Sequence, residues 1–344
     1  MNNYLNHLVK LGFFPGCNCC IINNNIIKPF SVGNKSVIPN IEKNNINTIY
    51  DIASLTKVVV TNTIITKLVQ EDKINLNDKV IKYLPKFKYD NITIMHLLTH
   101  TSGLVSDVNW NNIKTKEDLI NYLYDKKLCC ETGKSIIYSD IGFIFLGFII
   151  EKIYNKSLDV VAKEEVFRPL HMNNTCFNPK DINCASTEMV DNKILKGIVH
   201  DEKARIMNGV CGSAGVFSNI LDLTKFVEMI LNDGIVDGKV FIKKEYIDLW
   251  FEIMVSNSEV NRGMGFAISN GTHPSSKLSG ETIYHYGFTG TSLVIDRKNK
   301  FGFVFLSNRV HPTRDNKLLS ENRNKILDDI IDMENIIQKQ LSKN

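Results

Sequence analysis

Ser54-Leu55-Thr56-Lys57 sets a hydroxyl and an amine three residues apart, and on a helix residues three apart lie on one face. That pairing can make a serine nucleophilic. The approach, Tyr50-Asp51-Ile52-Ala53, reads as extended, and Val58 to Val69 is largely apolar with helical spacing, so Ser54 is predicted near a helix N-terminus. There, unpaired backbone N–H groups and the helix dipole favour negative charge. A lysine one turn along, when buried, is expected to have its pKa drawn down and to take the serine proton as a neutral amine. Alone, the tetrapeptide reads as readily as a helix cap followed by a solvated lysine.

Two further segments change that balance. Tyr138-Ser139-Asp140 follows a turn at Gly133 and precedes the apolar run Ile141 to Ile150, while His285-Tyr286-Gly287 ends a predicted strand and is followed by Phe288-Thr289-Gly290-Thr291. The order Ser-x-x-Lys, Tyr-Ser-[Asn/Asp], [Lys/His]-x-Gly resembles the serine β-lactamase and penicillin-binding-protein superfamily. Its tyrosine is similar to that of the class C β-lactamase, D-aminopeptidase and family VIII esterase branch. The resemblance runs over nearly the whole chain, through Phe14-Pro15-Gly16, Leu97-Leu98-Thr99-His100-Thr101-Ser102-Gly103-Leu104, Gly212-Ser213-Ala214-Gly215-Val216-Phe217-Ser218 and Leu306-Ser307-Asn308-Arg309.

The resemblance implies a two-step acyl transfer on an amide or ester, of penicillin-binding, D-amino-acid peptidase or carboxylesterase type. Ser54 would attack, Lys57 and Tyr138 would relay its proton, and the N–H groups of Ser54 and Phe288 would hold the oxyanion. Gly287 would let the strand come close to the substrate. No cofactor is implied, and the partner is a small-molecule or peptide-like substrate. Two departures bear on specificity. His285 stands where a class C β-lactamase has lysine, and a histidine with an ordinary pKa of about 6.5 anchors a carboxylate only when protonated. Asp140 replaces asparagine and is expected to raise the pKa of Lys57 or His285, or to disfavour an anionic substrate. By itself Asp140 reads as the N-cap of the helix that follows. The alternative is a catalytically idle binding or sensor protein on the same fold, although Ser54, Lys57 and Tyr138 are all present.

The elements needed to position these groups are those of an α/β (α+β) chain. Phe14 to Gly33 reads as a hairpin turning at Asn23-Asn24-Asn25, and Ile92 to His100, Lys116 to Tyr124, Ile141 to Tyr154 and Leu158 to Val166 read as helices. Strands return after Gly263, and Leu318 to Leu341 is helical. The 344 residues therefore predict one unit, 1–344: an antiparallel sheet flanked by helices and built from both ends of the chain (1–80 and 210–344), with a mainly helical lobe, 81–209, inserted between them.

Composition excludes more than it assigns. A formal net charge of +4 without a basic run beside aromatics argues against nucleic acid. Ile141 to Ile150 is about half the roughly 20 apolar residues of a membrane span. No secretory signal is visible at Met1 to Gly12, so a cytoplasmic location is expected unless an export signal was removed, and oligomeric state is left open. The eight cysteines lack the spacing of a disulfide framework. In Cys17-Asn18-Cys19-Cys20 a buried alternating strand explains them better than zinc, and His200-Asp201-Glu202 reads as cleft wall rather than a metal site. His100 and Ser102 are expected to brace the loop supporting the nucleophile helix.

Overall fold

The computed structural model describes residues 1–180 and 183–341; positions 181–182 and 342–344 of the expected 1–344 unit lie outside the described residues. Strand Gly16–Asn23 turns through Asn24 and Asn25, both left-handed with φ 49° and 66°, into Ile26–Ser36. Asparagine tolerates that conformation better than most residues, which fits a tight hairpin turn. The other edge of Gly16–Asn23 pairs with Phe301–Ser307, so both ends of the chain enter one antiparallel sheet, as the sequence predicts.

Among the described residues this sheet has nine strands. It runs from Val255–Ser256 through Asn261–Arg262, Ala267–Ile268, Thr282–Gly287, Thr291–Asp296 and Phe301–Ser307, then Gly16–Asn23 and Ile26–Ser36, to Glu42–Lys43. Alternation sorts its side chains between two apolar layers. Cys20, Ile22, Leu293, Ile295 and Val304 join the larger core, which includes Leu223, Phe226 and Val227 of helix Ile220–Leu231. Cys17, Cys19, Ile21, Val294 and Phe303 face the other way, onto Leu5 and Leu8 of helix Asn2–Lys10 and Leu327 and Ile330 of helix Leu318–Leu341. The Cys17–Cys20 run is thus packing material, and burial pushes the Cys17 thiol well up from its ordinary value.

Between the two halves of the sheet, helices Ile94–Leu98, Lys116–Asp125, Asp140–Tyr154 and Leu158–Ala162 fall where apolar spacing predicts them. The stretch 81–209 also carries short strands, Cys176–Phe177, Ser186–Val190 and Lys193–Lys196. Cys176–Phe177 and Tyr50–Asp51 flank Val216–Ser218 in a small sheet, which ties this stretch to the nucleophile segment. Helix Ile220–Leu231 lies outside the elements anticipated from sequence, although its signal is readable. Asn219 caps it by accepting from Asp222 N, and Ile220, Leu223, Phe226, Val227 and Ile230 form one buried stripe. No helix among the described residues is long and apolar enough to cross a membrane.

Candidate active site

Asp51, one turn ahead of Ser54, shapes the nucleophile segment. Its carboxylate accepts from Ala53 N at 2.8 Å and from His200 N at 2.7 Å, and Ala53 is held at φ 48°. A non-glycine residue in that region is strained and persists only where its surroundings fix it. Burial pushes the Asp51 carboxyl up to about 6 against the pull of the two N–H donors. Ser54 follows at the mouth of a cleft of about 690 Å³. The chain then enters a π-helical turn, Lys57–Asn62, continued as α-helix Thr63–Gln70.

Lys57 is wholly enclosed. Its Nζ donates to Ser54 Oγ at 2.9 Å and to the Ser213 carbonyl at 2.9 Å, and it pairs with Asp140 Oδ1 at 2.8 Å. An ammonium has three donors and no acceptor, so these contacts occupy it fully. The expected neutral lysine is therefore not found. Burial does push its pKa down, but Asp140 and the phenolic oxygen of Tyr138 outweigh it and leave the net shift upward. Lys57 enters the site as a cation.

Asp140 does not cap its helix. Ser139 does, accepting from Gly142 N at 3.3 Å, and this frees the Asp140 carboxylate to point inward. Its second oxygen lies 3.1 Å from Lys203 Nζ, and Lys203 also pairs with Asp201. Burial pushes the Asp140 carboxyl up, but Lys57 and Lys203 together bring it down to about 2. A depressed carboxyl contributes stability above its unfolded pKa of about 3.9 and loses it as pH falls through the folded value. A raised lysine keeps its contribution below about 10.4, so the pair contributes its full stabilisation from about pH 4 to pH 10.

A prediction follows for Asp140→Asn. Removing the carboxylate leaves burial as the main influence on Lys57, whose pKa falls, and the alkaline limb of kcat/KM moves down into pH 7–10. Native protein keeps a flat profile there. Breaking the pair destabilises the fold by roughly 3 kcal/mol, read in parallel by urea unfolding. Identical pH profiles would remove Asp140 from control of Lys57.

Tyr138 is 40% exposed at the cleft mouth. Lys57 Nζ lies 5.1 Å from its ring centroid and Arg262 Cζ 5.6 Å, while the ring is 4.6 Å from His100 and 6.2 Å from His285. His100 Nδ1 accepts from Ser139 N at 3.0 Å. It therefore braces the Tyr138 loop, not the loop expected to support the nucleophile helix. The Ser102 hydroxyl accepts from Leu104 N inside its own turn.

His285 is buried, with Nδ1 3.0 Å from the Tyr286 carbonyl and Nε2 without a partner. This contact makes Nδ1 the donor and leaves Nε2 as an acceptor in the neutral ring. Burial, then the charges of Lys57 and Arg262, hold the imidazole well below its ordinary value. His285 is thus a neutral acceptor that offers no charge to a carboxylate, and the raising influence of Asp140 is too weak to reverse this.

The backbone beside Gly287 completes the site. Thr289 Oγ1 donates to the Asp51 carbonyl at 2.8 Å and Thr291 Oγ1 to the Ile52 carbonyl at 3.0 Å, which pins this strand end to the nucleophile segment. A Cβ at Gly287 would lie 2.0 Å from Thr291 Oγ1 and 2.7 Å from the Ile52 carbonyl, so only glycine fits. Among the described residues neither Ser54 N nor Phe288 N donates to another group. Phe288 packs between His200, stacked at 5.4 Å, and Arg309, whose Cζ is 4.7 Å from the ring. His200, Asp201 and Glu202 line the cleft as wall, and among the described residues no group of three or more His, Cys, Asp or Glu side chains could hold a metal ion. Asp51, Lys203, Arg262, Thr289 and Thr291 were not singled out from sequence for this site. Each acts through a contact distant in sequence, and the only local signal is that Thr289 and Thr291 directly follow the third motif.

A family model described as Beta-lactamase matches residues 7–328. An N-acetylmuramyl-L-alanine amidase of Bacillus subtilis is 32% identical over 77% of this chain and 68% of its own length. A putative D-alanyl-D-alanine carboxypeptidase of Escherichia coli is 30% identical over 90% of this chain and 82% of its own. Among solved structures, a class C β-lactamase superposes with TM-score 0.77 at 18% identity, covering 95% of this chain and 94% of that one. EstCE1, a hydrolase with promiscuous acyltransferase activity, gives 0.74 at 19% identity, covering 94% and 96%. Sequence and fold together make this chain a member of the beta-lactamase family and a hydrolase of the serine β-lactamase type.

Proposed function

We propose that the protein cleaves a peptide-like amide or ester through an acyl-serine on Ser54, acting as a carboxypeptidase or esterase more than as a β-lactamase. The observation that carries this is the 2.9 Å contact between Lys57 Nζ and Ser54 Oγ, opposite two undonated N–H groups. Ser54 Oγ forms a bond to the substrate carbonyl carbon, and the resulting oxyanion sits against Ser54 N and Phe288 N. Because Lys57 is a fully occupied cation, the serine proton passes to the Tyr138 oxygen while the Tyr138 hydroxyl proton passes to the leaving group as the C–N or C–O bond breaks. In the reverse relay Tyr138 takes a proton from the water that attacks the acyl carbon and returns its own to Ser54 Oγ as the ester bond breaks, its ring held against Lys57 and Arg262. The chain would work as one unit, with the 1–80 and 210–344 sheet portion supplying Ser54, Lys57 and Phe288 and the inserted 81–209 portion supplying Tyr138 and Asp140.

The preference against β-lactams rests on neutral His285, which offers no fixed charge at the third motif. A fluorophosphonate probe with intact-mass readout, followed by a screen over p-nitrophenyl esters, D-amino-acid amides and nitrocefin, tests the reading. Expected are one covalent adduct on Ser54 and turnover of esters or D-amino-acid amides above that of nitrocefin. Absence of an adduct would leave an idle binding protein on this fold.

A further inference from the structure

The neutral third motif leaves open what recognises charge in a cleft lined by six cationic side chains and three carboxylates. Most of the cations are engaged. Lys203 pairs with Asp140 and Asp201, and Arg314 with Glu188 and Glu202. Arg309 donates to the Arg314 and Asn316 carbonyls, and Arg323 to the Gly287 carbonyl. Arg262 differs. It lines the cleft on strand Asn261–Arg262, and although Arg309 and Arg323 also have an enclosed Nε without a partner and no carboxylate at ion-pair distance, Arg262 is, among the described residues, the cleft arginine whose guanidinium makes neither a hydrogen bond nor an ion pair. Its contact is the face of Tyr138.

The Tyr138 ring links this arginine to the third motif, lying 5.6 Å from Arg262 Cζ and 6.2 Å from the His285 ring. In cross-strand register Arg262 pairs with Ala267, and Ala267 with Tyr284, the residue before His285. Ala267, between them, contributes only a methyl to the cleft wall. A buried guanidinium without a counter-ion is unfavourable, and a planar fork of donors suits a carboxylate bidentately.

We propose that Arg262 is the substrate-carboxylate site of this enzyme, taking over from two strands away the anchoring that His285 cannot supply. The carboxylate belongs to the leaving-group half of the substrate, because Arg262 packs on the same tyrosine that protonates the leaving group. The inference rests on the acyl-serine reading above, but its test can fail separately.

Two matched esters of one acyl group, with 3-carboxyphenol and with phenol as leaving groups, isolate the charge. Their ratio of kcat/KM, charged over neutral, is expected to fall about tenfold or more in Arg262→Leu, the loss of a charge-assisted hydrogen-bond pair. Arg262→Lys, which keeps the charge without the fork, gives an intermediate ratio and serves if the leucine variant does not fold. A ratio unchanged in both variants overturns the proposal while ester turnover still supports the hydrolase. The same fall in His285→Gln, with none in Arg262→Leu, returns the role to His285. If neither ester is turned over, the nucleophile reading fails, and calorimetric binding of the intact pair to native and Arg262→Lys protein then decides the anion site by the same ratio.

Discussion

Ser54→Ala is expected to lower hydrolysis of any substrate by about 10⁴-fold or more, because the acyl-serine cannot form and little but binding and the oxyanion site remains. The fold should survive. Ser54 is half-buried, its loss removes one atom, and Lys57 keeps the Ser213 carbonyl and Asp140 as partners. A change in unfolding free energy within about 1 kcal/mol is therefore expected. Initial rates, intact-mass detection of the acyl adduct and a urea melt read these outcomes together. Turnover near the native rate, with fold intact, would move the nucleophile elsewhere.

Lys57→Ala and Tyr138→Phe should each slow acylation by about 10²- to 10⁴-fold, the range of positioned acid–base groups. The lysine change has a structural safeguard. Asp140 keeps Lys203 at 3.1 Å, so its carboxylate is not left without a cation. Tyr138→Phe preserves the ring on which Lys57 and Arg262 pack and deletes only the proton carrier. Since the two residues serve one transfer, the double variant should lose little beyond the worse single one. Pre-steady-state bursts with a chromogenic ester separate acylation from deacylation. Multiplying losses in the double variant would show that Lys57 and Tyr138 act in independent steps.

The three motifs were legible because each is a short local pattern. Ser54 and Tyr138 line one cleft with Asp140, His285, Gly287 and Phe288, and enclosed Lys57 reaches Ser54 Oγ from the core side. Their charge states were not legible. Burial of Lys57 and a raising influence of Asp140 could both be anticipated, but which prevails depends on a 2.8 Å contact with a residue 83 positions later, 140 against 57. For His285 the sequence left a titrating anchor open, whereas the sheet encloses the ring and Arg262 lies two strands away, the Tyr138 ring in contact with both. Taken alone, Asp140 suits the helix cap as well as Ser139 does, and only the structure shows the Ser139 hydroxyl turned to the helix end and the Asp140 carboxylate turned to Lys57. The hairpin at Asn24-Asn25 and the alternation of Cys17 to Ile22 were readable because both are local, while the arrangement of nine strands drawn from both chain ends rests on distant pairing.

That distant pairing also governs when the enzyme can exist during its own synthesis. Gly16 N donates to the Asn308 side chain across 292 positions, and Thr289 reaches the Asp51 carbonyl across 238. Until the last strands emerge from the ribosome, the nucleophile segment lacks its Thr289 and Thr291 pins, and strand Gly16–Asn23 has an open edge where Phe301–Ser307 will sit. Contacts of such separation form late and leave apolar edges exposed meanwhile. A nascent chain is therefore chemically silent for most of its length, and the oxyanion pocket is among the last parts of the molecule to be assembled.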